Sequence, residues 1–128
     1  MSGIAIGPDP FFSVVIPTYN RGDLILKTLR SVLTQTYQRY EIIIVDDCST
    51  DNTRQLLEPY SDSGKIRLIT HDQNYERARA RNTGMENARG DYLTFLDSDD
   101  LMYATNLEDA AQYIKANPQT KFFITSID

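Results

Sequence analysis

The chain has one cysteine, one histidine and no tryptophan in 128 residues. A lone Cys48 excludes an intrachain disulfide and any cysteine cluster for zinc or iron. Its polar flanks and the lack of a nearby histidine argue against a nucleophile. An unpaired thiol fits a reducing compartment, so a cytoplasmic location is expected. A lone His71 excludes a histidine-rich metal centre; placed after an apolar run, it reads as a surface or loop-packing residue. No window holds the roughly 18 apolar residues of a membrane span, so membrane association is not encoded in this segment. The N-terminal MSGIAIGPDPFF has no basic residue before its short apolar stretch, which argues against a secretory signal. Both the Gly-x-x-x-x-Gly-Lys-Ser/Thr phosphate loop and Gly-x-Gly-x-x-Gly are missing, which removes the commonest nucleotide and dinucleotide readings.

Positive charge is also scarce. Thirteen basic residues face 18 acidic ones, for a formal charge of −5. A nucleic-acid backbone needs a basic surface, so no nucleic-acid partner is expected. A single nucleotide is still allowed, because one metal ion and a few local donors can hold a diphosphate whatever the global charge. With 41% hydrophobic and 24% charged residues, the chain has the composition of one globular domain with a real core.

The pattern alternates apolar runs with amphipathic stretches. Phe12–Ile16 reads as a strand stopped by Pro17, and 21–34 as a helix with Leu24, Ile25, Leu29, Val32 and Leu33 on one face. Glu41–Val45 is a near-continuous apolar strand of the kind covered on both sides. Ser49, Thr50 and Asp51 offer N-caps for a short helix through Leu57, bent by Pro59, and Lys65–Thr70 is a strand after a Ser-Asp-Ser-Gly turn. A helix over Arg77–Ala88 follows, then a strand over Asp91–Leu96. Thr105 and Glu108 make a capping box before a helix with Leu107, Ala110, Ala111 and Ile114 inside. Pro118 ends it, and Lys121–Ile127 reads as a last strand. Strands separated by helices of this length imply βαβ units. The expected fold is therefore α/β, a mostly parallel sheet flanked by helices. The chain stops on a strand end, so residues 1–128 read as one domain truncated from a longer protein. An unpaired sheet edge in such a fragment would leave room for a homodimer.

Ligands of open α/β sheets bind beyond the C-terminal strand ends, and the unusual chemistry of this chain lies there. One strand runs into Pro17-Thr18-Tyr19-Asn20, another into Asp46-Asp47-Cys48-Ser49, a third into Asp97-Ser98-Asp99-Asp100. Residues at i and i+2 of an extended segment share a side, so Asp97 and Asp99 can face one object. Crowded carboxylates repel unless a cation or donors offset them, and magnesium or manganese with oxygen ligands would do so. A plain turn or helix N-terminus, where Asp is common, is the competing reading. Asp47 either bonds a base or ribose or, with Asp46, caps the next helix. Tyr19 offers a ring to stack on a base. Arg77 and Arg81 share a helix face that can meet a phosphate, the acidic loops or solvent, while Arg79 points elsewhere. Asn74 and Asn82 can tie loops together.

These residues carry a resemblance over residues 13–114. The blocks Ser13–Asn20, Ser31–Tyr37 running into Glu41–Asp51, Ala80–Gly84 and Gly90–Asp100 resemble the family 2 glycosyltransferases, an inverting group with the Rossmann-like GT-A fold. The resemblance implies that the chain is the nucleotide-sugar-binding half. Pro17 and Tyr19 would line the base pocket, and Asp47 would bond the nucleobase, usually uracil. Arg77 and Arg81 would lie beside the nucleotide. Asp97 would approach the ribose or a metal-bound water, and Asp99 a Mn2+ or Mg2+ ion holding the diphosphate. The implied partner is a nucleoside diphosphate sugar, and the acceptor, glycan or lipid, is unspecified. Glu76 departs from the pattern, since many members have glycine there. No residue matches the later carboxylate base, which is expected beyond residue 128. Two other readings compete: a non-catalytic sugar-nucleotide or carbohydrate-binding module, and a nucleotidyltransferase. The latter would carry a glycine-rich basic loop after the first strand, which Pro17–Asn20 is not.

Overall fold

A computed structural model describes residues 9–119 of the protein. Four parallel strands, β1 (Phe12–Thr18), β2 (Tyr40–Asp46), β3 (Arg67–Thr70) and β4 (Tyr92–Phe95), form a sheet in the order β3-β2-β1-β4. Four helices connect or flank them: α1 (Ile25–Leu33), α2 (Thr53–Asp62), α3 (Glu76–Glu86) and α4 (Asn106–Ala116). The expected α/β architecture is present. The strand expected over Lys121–Ile127 lies outside the described residues. Among the described residues, no helix is long and apolar enough to cross a membrane.

Alternation along the two central strands sorts the core. Phe12, Val14, Ile16, Ile42 and Ile44 face α1, α2 and α4, packing with Ile25, Leu29, Val32, Leu57, Leu107 and Ile114. Val15, Ile43 and Val45 point the other way, where Ala80 of α3 completes a smaller cluster. Both faces of β1 and β2 are covered, which is why those strands are apolar at nearly every position. α3 buries only Ala80 and Gly84. It approaches β1 so closely that a Cβ on Gly84 would lie 2.2 Å from Val15 Cγ1.

Several expected boundaries move for local reasons. Pro17 does not end β1, whose register continues to Thr18 opposite Asp46. Val15 O accepts from Leu96 and Thr18 O from Asp47, so the missing Pro17 N–H faces the side where β4 has already ended at Phe95. α1 starts at Ile25, because Arg21 O accepts from both Leu24 and Ile25 in a turn that precedes the helix. The capping box does not form. Thr105 makes no side-chain cap bond, and Glu108 accepts instead from the Thr36 hydroxyl across the α1–β2 connection.

The N-terminal end of the sheet is fastened by one carboxylate. Glu41 accepts from Ser13 Oγ (2.6 Å), Arg89 N–H (2.7 Å) and Arg67 Nη1 (2.9 Å). Burial pushes its carboxyl up, but these bonds and the Arg67 charge outweigh it and hold the group below the ordinary value.

Candidate functional site

At the opposite end of the sheet, the loops after β1, β2 and β4 meet the start of α3 around a cleft of about 290 Å³. Pro17, Thr18, Tyr19, Arg21, Asp47, Asn74, Glu76, Arg77, Ala80 and Ser98 line it. Of the residues expected at a binding site, Pro17, Tyr19, Asp47 and Arg77 therefore share one cavity. Asp97, Asp99 and Arg81 stand at its edge, linked by ion pairs. Arg81 Nη2 lies 3.4 Å from Asp97, and the cleft-lining Arg21 lies 3.9 Å from Asp99. Arg79 goes its own way and stacks its guanidinium 4.5 Å from the Tyr75 ring centroid.

Asp47 is buried, only 3% exposed, and it fastens the loop before α3. Its Oδ1 accepts from Tyr75 N–H (2.9 Å) and faces His71 Nδ1 (2.8 Å), while Oδ2 accepts from Glu76 N–H (2.7 Å). The helix it caps is thus α3, not the next one in the chain. Asp46 accepts from the Ser49 hydroxyl and caps no helix among the described residues. His71 Nε2 lies 2.8 Å from Thr83 Oγ1, so the histidine pins β3's end to α3 and to Asp47. Its packing role was foreseeable, but its link to Asp47 was not, because 24 residues separate them.

The first two loops are fastened to each other. Asn20 sits at φ 52 and Cys48 at φ 65, both left-handed. Asn20 Oδ1 accepts from Thr50 N–H (2.8 Å) and Asp51 N–H (3.2 Å). Asp51 accepts from Gly22 N–H (3.0 Å) and from the N–H and hydroxyl of Thr53, which begins α2. Burial raises the Asp51 carboxyl, but the Thr53 and Gly22 bonds prevail and leave it below the ordinary value.

The acidic segment is a turn, not the extended strand expected from the spacing of Asp97 and Asp99: Asp100 N–H donates to Asp97 O at 3.0 Å. The turn nonetheless gathers the carboxylates. One oxygen each from Asp97, Asp99 and Asp100 lie within 4.8 Å of one another. An all-oxygen, all-anionic donor set suits Mg2+ or Mn2+ rather than a softer ion, so these residues fit such a metal. A row of side chains on α1 and just past its end holds the segment in place. The buried Thr28 hydroxyl donates to Ser98 O (2.9 Å), and Ser31 Oγ accepts from Met102 N–H (3.0 Å). Gln35 donates to Tyr103 O (2.6 Å) and accepts from Leu107 N–H (3.0 Å).

Two buried polar atoms at the site have no partner among the described residues, Thr18 Oγ1 and Arg81 Nε. A buried unpaired hydroxyl is costly, and Thr18 lines the cleft. Arg21 and Thr18 were not singled out from sequence. Arg21 carried a usable signal, being a cation one residue beyond a strand-end loop.

The family model described as "Glycosyl transferase family 2" matches residues 13–126. The Bacillus subtilis protein named glycosyltransferase TuaG is 42% identical over 106 residues, 82% of this chain and 42% of that one. The Escherichia coli UDP-Glc:alpha-D-GlcNAc-diphosphoundecaprenol beta-1,3-glucosyltransferase WfgD is 42% identical over 100 residues, 78% of this chain and 39% of that one. Among solved structures, S. aureus TarS 1-349 in complex with UDP-GlcNAc superposes with a TM-score of 0.76 at 36% identity, over 81% of this chain and 31% of that one. The mannosyltransferase PcManGT from Pyrobaculum calidifontis, in complex with GDP-Man and Mn2+, does so with a TM-score of 0.76 at 26% identity, over 88% and 35%. The chain spans less than half the length of each of these proteins.

Proposed function

From the premise that this chain belongs to glycosyl transferase family 2, we propose that it is the donor-binding half of an enzyme that transfers a sugar from a nucleoside diphosphate, UDP in the first instance. The observation that carries this reading is the convergence of three strand ends on one cleft, with an unpaired buried Thr18 hydroxyl in its wall and three carboxylates at its edge. The relatives support it, since TarS and PcManGT were solved with UDP-GlcNAc and with GDP-Man and Mn2+.

In this reading Pro17 and Tyr19 flank the nucleobase. Asp47 accepts from it through Oδ2, which has one protein donor where Oδ1 has two partners. Arg21 and Arg77 lie along the cleft and face the phosphates. Asp99, with Asp97, would hold a Mn2+ or Mg2+ ion. Such an ion, when bound, offsets the negative charge that grows on the departing nucleoside diphosphate. Arg81 orients Asp97 beside the cleft through their ion pair. The transfer itself is an in-line displacement with inversion: the acceptor oxygen bonds the anomeric carbon as the bond to the phosphate oxygen breaks. The acceptor proton goes to a carboxylate supplied by a later segment of the full-length protein. Residues 1–128 alone bind donor without turning it over.

Calorimetric titration of UDP tests this, with and without manganese and with Asp99→Ala. Manganese-dependent binding that Asp99→Ala abolishes is expected. Binding indifferent to both changes would rule the reading out.

A further inference from the structure

Glu76 begins α3 with φ 77, a left-handed conformation that a residue bearing a β-carbon adopts only at a cost. Its backbone has an evident structural task. The Glu76 N–H donates to Asp47 Oδ2 at 2.7 Å and to Asn74 Oδ1 at 3.0 Å, joining β2's end to α3. Any residue with an N–H makes those bonds, and one without a β-carbon makes them without strain. The side chain does nothing comparable for the fold. It is exposed, it lines the cleft, and its carboxylate has no hydrogen-bond or ion-pair partner among the described residues. A strained residue whose side chain contributes nothing to folding points to a role in what the cleft binds.

The location selects the kind of group it meets. In the sheet order, the Asp47 and Glu76 side of the cleft follows β2 and β3, the acidic turn follows β4, and β1 lies between. A free carboxylate repels a diphosphate, so the phosphates belong on the β4 side, where Arg21 reaches toward Asp99. The uncharged nucleoside is then left for Glu76. Asp47 has room for one further donor at Oδ2 alone, with three protein partners already, whereas both Glu76 oxygens are unused. We infer that Glu76 is a selectivity-determining residue of the cleft, its carboxylate accepting a hydrogen bond from an N–H or O–H of the donor's nucleoside. This rests on the donor-binding reading above. A site built around such an acceptor discriminates against ligands lacking the matching hydrogen.

The test is a set of calorimetric titrations of the 128-residue chain with UDP, 2′-deoxy-UDP and N3-methyl-UDP in manganese, for wild type, Glu76→Gln and Glu76→Gly. Glu76→Gly is expected to raise the Tm while weakening UDP binding about tenfold, the equivalent of one charge-assisted bond. Glu76→Gln keeps the strained backbone and a weaker acceptor, so its loss should be smaller. The penalty should vanish for one analogue, the deoxy sugar if a ribose hydroxyl is the donor and the methylated base if the imide N–H is. UDP binding unchanged in both variants, with the Tm gain in Glu76→Gly, would overturn the inference and leave the donor reading standing. A penalty equal for all three ligands would also overturn it. Wild-type protein that binds none of them would overturn the donor reading, and this inference with it.

Discussion

The Glu76 N–H reaches Asp47 Oδ2 at 2.7 Å, so a buried carboxylate at the end of β2 sets the first residue of α3, 29 positions away. Folding and ligand binding share that contact. Asp47→Ala removes the carboxylate from the Tyr75 N–H and His71 at once, and leaves the Glu76 N–H with Asn74 Oδ1 alone. The expected cost is about 3 kcal/mol of stability, in the range for breaking a buried charged network. Chemical denaturation measures it, and UDP affinity should fall in parallel. Asp47→Asn keeps the volume and one acceptor, so it should cost less.

Thr28 holds the acidic turn through Ser98 O. Thr28→Val keeps the shape and removes the donor, leaving a buried carbonyl unpaired at a cost of about 1–2 kcal/mol. Manganese affinity should drop by more than that loss of stability alone produces in a folded sample. Thr28→Ser, which restores the hydroxyl, should recover it. Manganese titration of folded protein well below the Tm reads this out.

Glu41 contributes to acid stability. Its folded carboxyl sits below the ordinary value of 4.5 because Ser13, Arg89 and Arg67 bonds overcome its burial. A depressed folded pKa means that the unfolded chain takes up the proton first as pH falls. The stabilisation is therefore complete above the unfolded pKa and is lost as pH drops through the lower, folded one. Denaturation from pH 7 to pH 3 should show this loss, and Glu41→Gln should flatten the profile while lowering stability at pH 7.

Gly84 is a packing constraint without left-handed geometry. Alanine there meets Val15 Cγ1 at 2.2 Å, closer than any real contact, and α3 must back away from β1. Gly84→Ala should cost about 1–3 kcal/mol. Adding Val15→Ala opens the space and should make the double variant less destabilised than the two single losses sum to.

The most legible parts of the sequence were those that burial makes unambiguous. β1 and β2 are covered on both faces, so Val14–Ile16 and Ile42–Val45 read as apolar runs, and their polar ends marked the cleft. α3 buries only Ala80 and Gly84 and so shows almost no apolar face; its tie to the sheet through Gly84 and His71 leaves no periodic trace. The spacing of Asp97 and Asp99 pairs them through extended geometry, but a turn brings their oxygens together with Asp100. Thr105 and Glu108 had the spacing of a capping box, yet Thr36, 72 residues from Glu108, captured the glutamate. Long-range partners of this kind cannot be read from local spacing.

In the proposed function a nucleotide lies across the C-terminal ends of β1, β2 and β4, with its diphosphate at the acidic turn. Amide NMR of the protein with UDP tests that directly, first with Mg2+ and then with traces of Mn2+. The expected result is shifts at Tyr19, Asp47 and Glu76, with paramagnetic broadening centred on Asp97–Asp100. Shifts confined to the Glu41 end of the sheet, or broadening that spares the acidic turn, would contradict it.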